Sequence, residues 1–229
     1  MAVTETFPFA RPQDHYWTDI DNNFWSAFGP PNRIIKAAEL AMMVGDGADA
    51  HLFKQPRRCI YHHYDGTNYT EYDVELTLYI MTAATLTINS GTDTACRGLF
   101  LGEDGAVGAA SDFQYTIAGL MFPYYYKQPK AEQQYVETTL AVGDAIWVIR
   151  NGLCDVKNVS GSTDEDKLVP ANSGVAATAA ALVAPGPQTD AIILAHSWLD
   201  RCLGRWKATV TTGNFGLARL CMPPRHVDP

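Results

Sequence analysis

Through most of this chain apolar and polar residues alternate with a period of two, the mark of strands with one buried face. In RRCIYHHYDGTNYTEYDVELTLYIMTAATLTINSG, Cys59 to Tyr64 reads as a strand and Asp65-Gly66 as a hairpin turn. Tyr72, Val74, Leu76, Leu78 and Ile80 then alternate along a second strand, and Leu86 and Ile88 start another. CRGLFLGEDGAVGAA adds a short strand and an acidic, Gly-rich loop, and FQYTIAGLMFPYYYK adds a ribbon ending in Tyr124, Tyr125 and Tyr126. QYVETTLAVGDAIWVI leads into VGDAIWVIRNGLCDVKNVSG, which predicts a strand, a two-residue turn at Asn151-Gly152 and a returning strand.

The period changes in two places. NRIIKAAELAMMV (32–44) has apolar residues three to four apart, an Asn N-cap candidate at Asn32 and a Gly stop at Gly45, which predicts one short helix. Residues 1–33 lack any period and are rich in aromatics, Pro and Asp, with Tyr16, Trp17, Phe24, Trp25 and Phe28 ahead of GPPN. That stretch reads as an extended N-terminal arm that docks either on its own domain or on a neighbour. Toward the C-terminus, SGSTDEDKLVPANSG reads as an exposed loop. GVAATAAALVAPGPQ fits a short helix or a small-residue strand, DAIILAHSWLD and RWKATVTTG are strand-like, and GLARLCMPPRHVDP ends in a Pro-rich tail.

About ten short strands and one helix predict a mainly β fold, and covering so many edges favours a small β-barrel or sandwich. Three regions are expected: the arm at 1–33, a helix and β-ribbon region at 34–140, and a β-barrel-like region at 141–229.

At 229 residues the chain can bury a sizeable core without metals or disulfides, and 47% hydrophobic against 18% charged residues describes a folded domain. A net charge of -8 argues against an unaided electrostatic grip on nucleic acid or an anionic membrane. The five cysteines (Cys59, Cys96, Cys154, Cys202, Cys221) are scattered without a CxxC and read as reduced thiols. MAVTETFPFARPQDHYW has charges and prolines where a leader's apolar core would sit, and synthesis and folding in a cytoplasm are expected.

Candidate chemistry is thin. His62 and His63, beside Asp65, point to opposite faces of a strand and make a shared metal ion awkward. GDGADAH, with Asp46, Asp49 and His51, lacks the terminal Glu of a calcium loop. The carboxylates of GEDG (102–105) and STDEDK (162–167) fall in loops, not on facing strands across a cleft. Cys154 has no His near it in sequence, and Ser197 in AHSWL has no GxSxG elbow. No catalytic residue, cofactor or metal site is expected.

VGDAIWVIRNGLCDV (142–156), followed by a polar stretch, Gly-Val-Ala at 174–176 and a further ribbon, resembles the small β-barrel of tailed-phage capsid decoration, or cement, proteins. Residues 1–140 have no counterpart in that pattern, the polar insert is long, and the segment after Gly174 is alanine-rich. The resemblance implies a non-enzymatic virion structural protein on the capsid surface, partnered by the major capsid protein and often trimeric. The arm residues Tyr16, Trp17, Phe24, Trp25 and Phe28 are then the candidates for gripping the shell or a neighbour. The alternative is a carbohydrate- or receptor-binding β-domain of a phage tail or fibre, using Trp17, Trp25, Trp147 or the Tyr124–Tyr126 patch as a stacking platform.

Overall fold

A computed structural model of the chain describes residues 16–20, 24, 27–29, 31, 33–45, 55–64, 68–82, 86–87, 100–102, 117–122, 126–130, 133–136, 139–158, 161–170, 176–178, 202–212 and 215–222. The strands among them are β1 (Tyr16–Asp19), β2 (Arg57–Tyr64), β3 (Tyr69–Ile80), β4 (Leu86–Thr87), β5 (Phe100–Gly102), β6 (Ile117–Leu120) and β7 (Tyr126–Lys130). They continue with β8 (Gln133–Val136), β9 (Thr139–Leu140), β10 (Ala145–Lys157), β11 (Lys167–Pro170), β12 (Ala176–Thr178), β13 (Gly204–Trp206) and β14 (Phe215–Cys221), and the helix spans Ala37–Gly45. The chain is mainly β, as the alternation predicts.

The main sheet runs β1-β2-β3-β10-β14-β13-β11-β12, every neighbouring pair antiparallel, with β5–β6 attached through β6 to β10. Among the described residues its end strands β1 and β12 do not pair with each other, so this is an open sheet and not a closed barrel. The β2–β3 hairpin forms as predicted, with Tyr64 opposite Tyr69 and a connection longer than the Asp65-Gly66 pair. The sheet also crosses the expected boundary at residue 140, because β10 lies between β3 and β14.

Strand β10 is the centre of the fold. From Ala145 to Arg150 every residue is buried, and Ala145 to Ile149 form a continuous apolar run flanked by strands on both sides. One face carries Trp147 and Ile149, opposite Leu78 and Leu76, and continues into Leu220, Ala218, Trp206 and Leu168, all buried. The other carries Ile146 and Val148, and β6 pairs antiparallel with β10 where Leu120 meets Ile149. A Cβ on Gly119 would lie 2.6 Å from Val148 Cγ2, so the close approach of the paired strands requires glycine there.

The turn predicted at Asn151-Gly152 does not form. Both residues lie inside β10, where Asn151 pairs with Cys221 and Gly152 with Leu220. The register against β3 shifts between Ile149 and Asn151, leaving Arg150 as the extra residue of a bulge. Gly152 has φ +111, and a Cβ there would stand 2.3 Å from the Asp73 carbonyl oxygen. Its glycine serves close approach between strands, and the positive φ that suits a hairpin turn suits a bulge equally well. Asn151 is held by its neighbours: its amide donates to Glu75 Oε1 (2.8 Å) and its carbonyl oxygen accepts from Met222 N–H (2.9 Å).

Two other expectations change. The helix begins at Ala37, not Asn32, because Ile34 and Ile35 are extended and buried, Ile35 exchanging both backbone hydrogen bonds with Ala145. The polar stretch read as a loop contains β11, whose Leu168 is fully buried. GVAATAA resolves as a strand at Ala176–Thr178, and DAIILAHSWLD lies outside the described residues.

Candidate functional site: the Gly-Asp turn and the aromatic arm

The Gly143-Asp144 pair ahead of β10 forms a tight structural joint. Gly143 has φ +87, which admits the backbone reversal between β9 and β10. Its N–H donates to the Met81 carbonyl (2.8 Å), and Met81 N–H donates to the Asp144 carbonyl (2.9 Å), tying the turn to the end of β3. The Asp144 carboxylate is nearly excluded from water, at 4% exposure. It accepts from Ala141 N–H (3.0 Å), from Lys36 Nζ (2.8 Å) and from Ala37 N–H (3.2 Å), the first backbone donor of the helix. A residue 107 positions away therefore serves as the N-cap. Burial pushes the Asp144 carboxyl up, but the bonds from Lys36, Ala141 and Ala37 outweigh it and hold the group below the usual Asp range.

The joint presents an apolar surface. Leu40 is buried and Met43 packs against the core, while Ala37, Ala38, Ala41, Met42 and Val44 are exposed. Met42 is 67% exposed, Val44 50%, and Val142, in the turn beside the helix N-terminus, 55%. Glu39 is the helix's one charged side chain, and it pairs with Arg33.

The arm residues divide. Phe24 and Phe28, expected to grip a partner, are buried within the chain. Both stand edge-on to the Trp147 ring, with centroids 5.6 and 5.4 Å away, and they stack on each other at 6.0 Å. The Arg57 guanidinium lies 5.4 Å over Trp147 and 6.0 Å over Phe24, and donates to the Gly29 carbonyl (2.6 Å). Arg57 is fully buried, so the rings and the carbonyl replace its hydration. An aromatic arm able to dock on itself or on a neighbour thus docks on itself at these two positions, because they complete the face of the sheet around Trp147. Tyr16 and Trp17 lie on β1, in register with His62 and Tyr61, and Trp25 lies outside the described residues.

His62 and His63 sit on β2 opposite Glu71 and Thr70. Among the described residues no three metal-ligating side chains cluster. Asp46, Asp49 and His51 of GDGADAH, the carboxylates Glu103 and Asp104, Tyr124, Tyr125, His196 and Ser197 lie outside the described residues. Cys154 is buried, and burial first, then the Asp155 charge, pushes its thiol well up, the reverse of what a nucleophile needs. Neighbouring Tyr61 is pushed up by the same two causes, and its hydroxyl donates to Asp155 Oδ2 at 3.4 Å.

Sequence reasoning missed the roles of Arg57, Asp144 and Arg150. Arg150 is the bulged residue, and its buried Nη1 donates to the Ile117 (3.0 Å) and Ala118 (2.6 Å) carbonyls of β6. A charged residue inside an otherwise apolar run was the available signal for Arg150, as the Gly-Asp pair was for Asp144; Arg57, in an Arg-Arg pair, carried none. Comparison with protein-family models, with curated proteins and with solved structures gave no match.

Proposed function

We propose that the chain is a non-enzymatic virion structural protein that binds and stabilises a phage capsid surface, with the major capsid protein as its partner and a trimer as its working form. The observation that carries the proposal is the set of exposed apolar side chains Met42, Val44 and Val142, standing around the joint that Asp144 closes. Exposed apolar surface on a well-held element suits shape-complementary docking and needs no chemistry. The Val142–Val156 resemblance supplies the identity of the surface. The buried charges of Asp144, Arg57 and Arg150 serve the framework, the first capping the helix, the second anchoring the arm and the third fastening β6.

Phe24 and Phe28 change how the arm can be tested. Removing residues 1–30 takes both rings from Trp147 and the Gly29 acceptor from Arg57, so loss of binding in that truncation reports folding and not contact. The discriminating experiment is co-sedimentation of the full chain with shells that lack it, comparing wild type with Met42→Glu/Val44→Glu. Saturable binding at a fixed ratio to shell subunits, lost in the variant, is the expected result. Absence of binding by a folded wild type overturns the proposal. Glycan-dependent tryptophan quenching in its place favours the receptor-binding alternative, although Trp147 and Trp206 are fully buried and so cannot form an exposed platform.

A further inference from the structure

At the end of the sheet formed by β11, β13 and β14, one face is core and carries the buried Leu168, Trp206 and Ala218. The opposite face carries cations in register. Lys167 pairs with Arg205, and Arg205 pairs with Arg219, so three cations stand side by side across adjacent strands, spaced about 4.8 Å apart. Lys207 follows two residues after Arg205 and falls on the same side. Arg205 and Arg219 are exposed. Like charges directly opposite one another weaken a sheet, and this chain has 17 Lys and Arg against a net charge of -8, so the grouping runs against both local stability and the chain's overall charge.

One residue already occupies the row. Glu165 is the single non-glycine residue with positive φ among those described, at +67. Its turn is pinned by Thr163, whose N–H (2.7 Å) and hydroxyl (2.8 Å) both donate to Asp166 Oδ2, and Glu165 N–H donates to the Trp206 carbonyl (2.8 Å). The unfavourable backbone delivers the Glu165 carboxylate to Lys207 Nζ and its carbonyl to Arg205 Nη1 (3.1 Å). The hydrogen bond from Lys207, with the charges of Lys207, Arg205 and Arg219, holds the Glu165 carboxyl below the usual Glu range. The row therefore attracts a carboxylate, and Glu165, which meets it at Lys207 and Arg205, is exposed and held at a conformational cost.

We propose that the Lys167–Arg205–Arg219 row, with Lys207, is a docking surface for a carboxylate-rich segment of a protein partner, and that Glu165 is a built-in occupant which such a segment displaces. Exchanging one carboxylate for another preserves the row's charge compensation. The chain's excess negative charge repels a long polyanion such as nucleic acid, whereas a short acidic segment brings few charges and can meet the row at close range. The surface is inferred from its own charges and stands independently of shell binding.

The test is fluorescence anisotropy of a dye-labelled oligoglutamate peptide titrated with the full chain at low ionic strength. Saturable binding is expected, weakened at least about tenfold in Arg205→Gln/Arg219→Gln, since each loses a charge-assisted contact. Glu165→Gly removes the competing carboxylate and suits the positive φ, so it should bind the peptide several-fold more tightly, by about the same logic of competition. Arg219→Gln alone serves if the double variant loses the emission of buried Trp206. The proposal is overturned by no saturation, by binding indifferent to the arginine substitutions, or by weaker binding by Glu165→Gly. A single-stranded oligonucleotide of equal charge that displaces the peptide at equal or lower concentration also overturns it, in favour of an unselective anion surface.

Discussion

Asp144 offers the sharpest test of the joint that holds helix to sheet. In Asp144→Ala the Ala37 N–H loses its cap, a loss worth about 1 kcal/mol. The Ala141 N–H loses its acceptor in a nearly dry site, adding about 1–2 kcal/mol. Lys36 keeps contact with water at 35% exposure, so its ion pair adds little more. The expected loss is about 2–3 kcal/mol, a sizeable part of a typical domain's total stability of about 5–15 kcal/mol. Urea unfolding followed through the buried Trp147 and Trp206 measures it. The pH dependence supplies a second arm. Because the folded state holds the Asp144 carboxyl below its ordinary range, its stabilisation is full above that range and disappears as pH falls through the folded-state pKa. The gap between wild type and Asp144→Asn should thus be largest at neutral pH and narrow in acid. An Asp144→Ala loss under about 0.5 kcal/mol, typical of an uninvolved surface site, refutes the cap, and a gap that widens in acid refutes the charge argument.

Gly152→Ala places a methyl against the Asp73 carbonyl at a left-handed φ and should cost about 3 kcal/mol or more, seen as a lower urea midpoint; a neutral outcome would refute the close approach of Gly152 to β3. Phe24→Ala removes an edge contact to Trp147 and part of the cover over Arg57, for an expected loss of about 3–4 kcal/mol and a red shift of tryptophan emission; an unchanged spectrum refutes self-docking of the arm. Site-resolved alkylation at neutral pH should label exposed Cys221 well before Cys154, whose thiol is buried and pushed up, and comparable native-state rates at the two sites would contradict that placement.

The local pattern is enough to establish some elements. Tyr72, Val74, Leu76 and Leu78 alternate, and a strand of that period must turn the same residues inward whatever it pairs with, so the β2–β3 hairpin and the mainly β class were legible. Apolar spacing likewise disclosed a helix near residue 40, and the aromatic arm was visible as a segment that belongs to neither period.

Tertiary structure decided what local chemistry leaves degenerate. Asn-Gly favours positive φ, which serves a hairpin turn and a bulge equally, and the continuous pairing of β10 with both β3 and β14 selected the bulge. Asn32 is a good cap by residue type, but the helix starts where Asp144, brought by the turn after β9, meets Ala37, while Ile35 pairs with Ala145. The basic row exists only in the register of β11, β13 and β14, since Lys167, Arg205 and Arg219 are far apart in sequence. A side chain's period follows from its own strand, whereas its partner is set by which distant strand lies beside it, and that depends on burying the whole core at once.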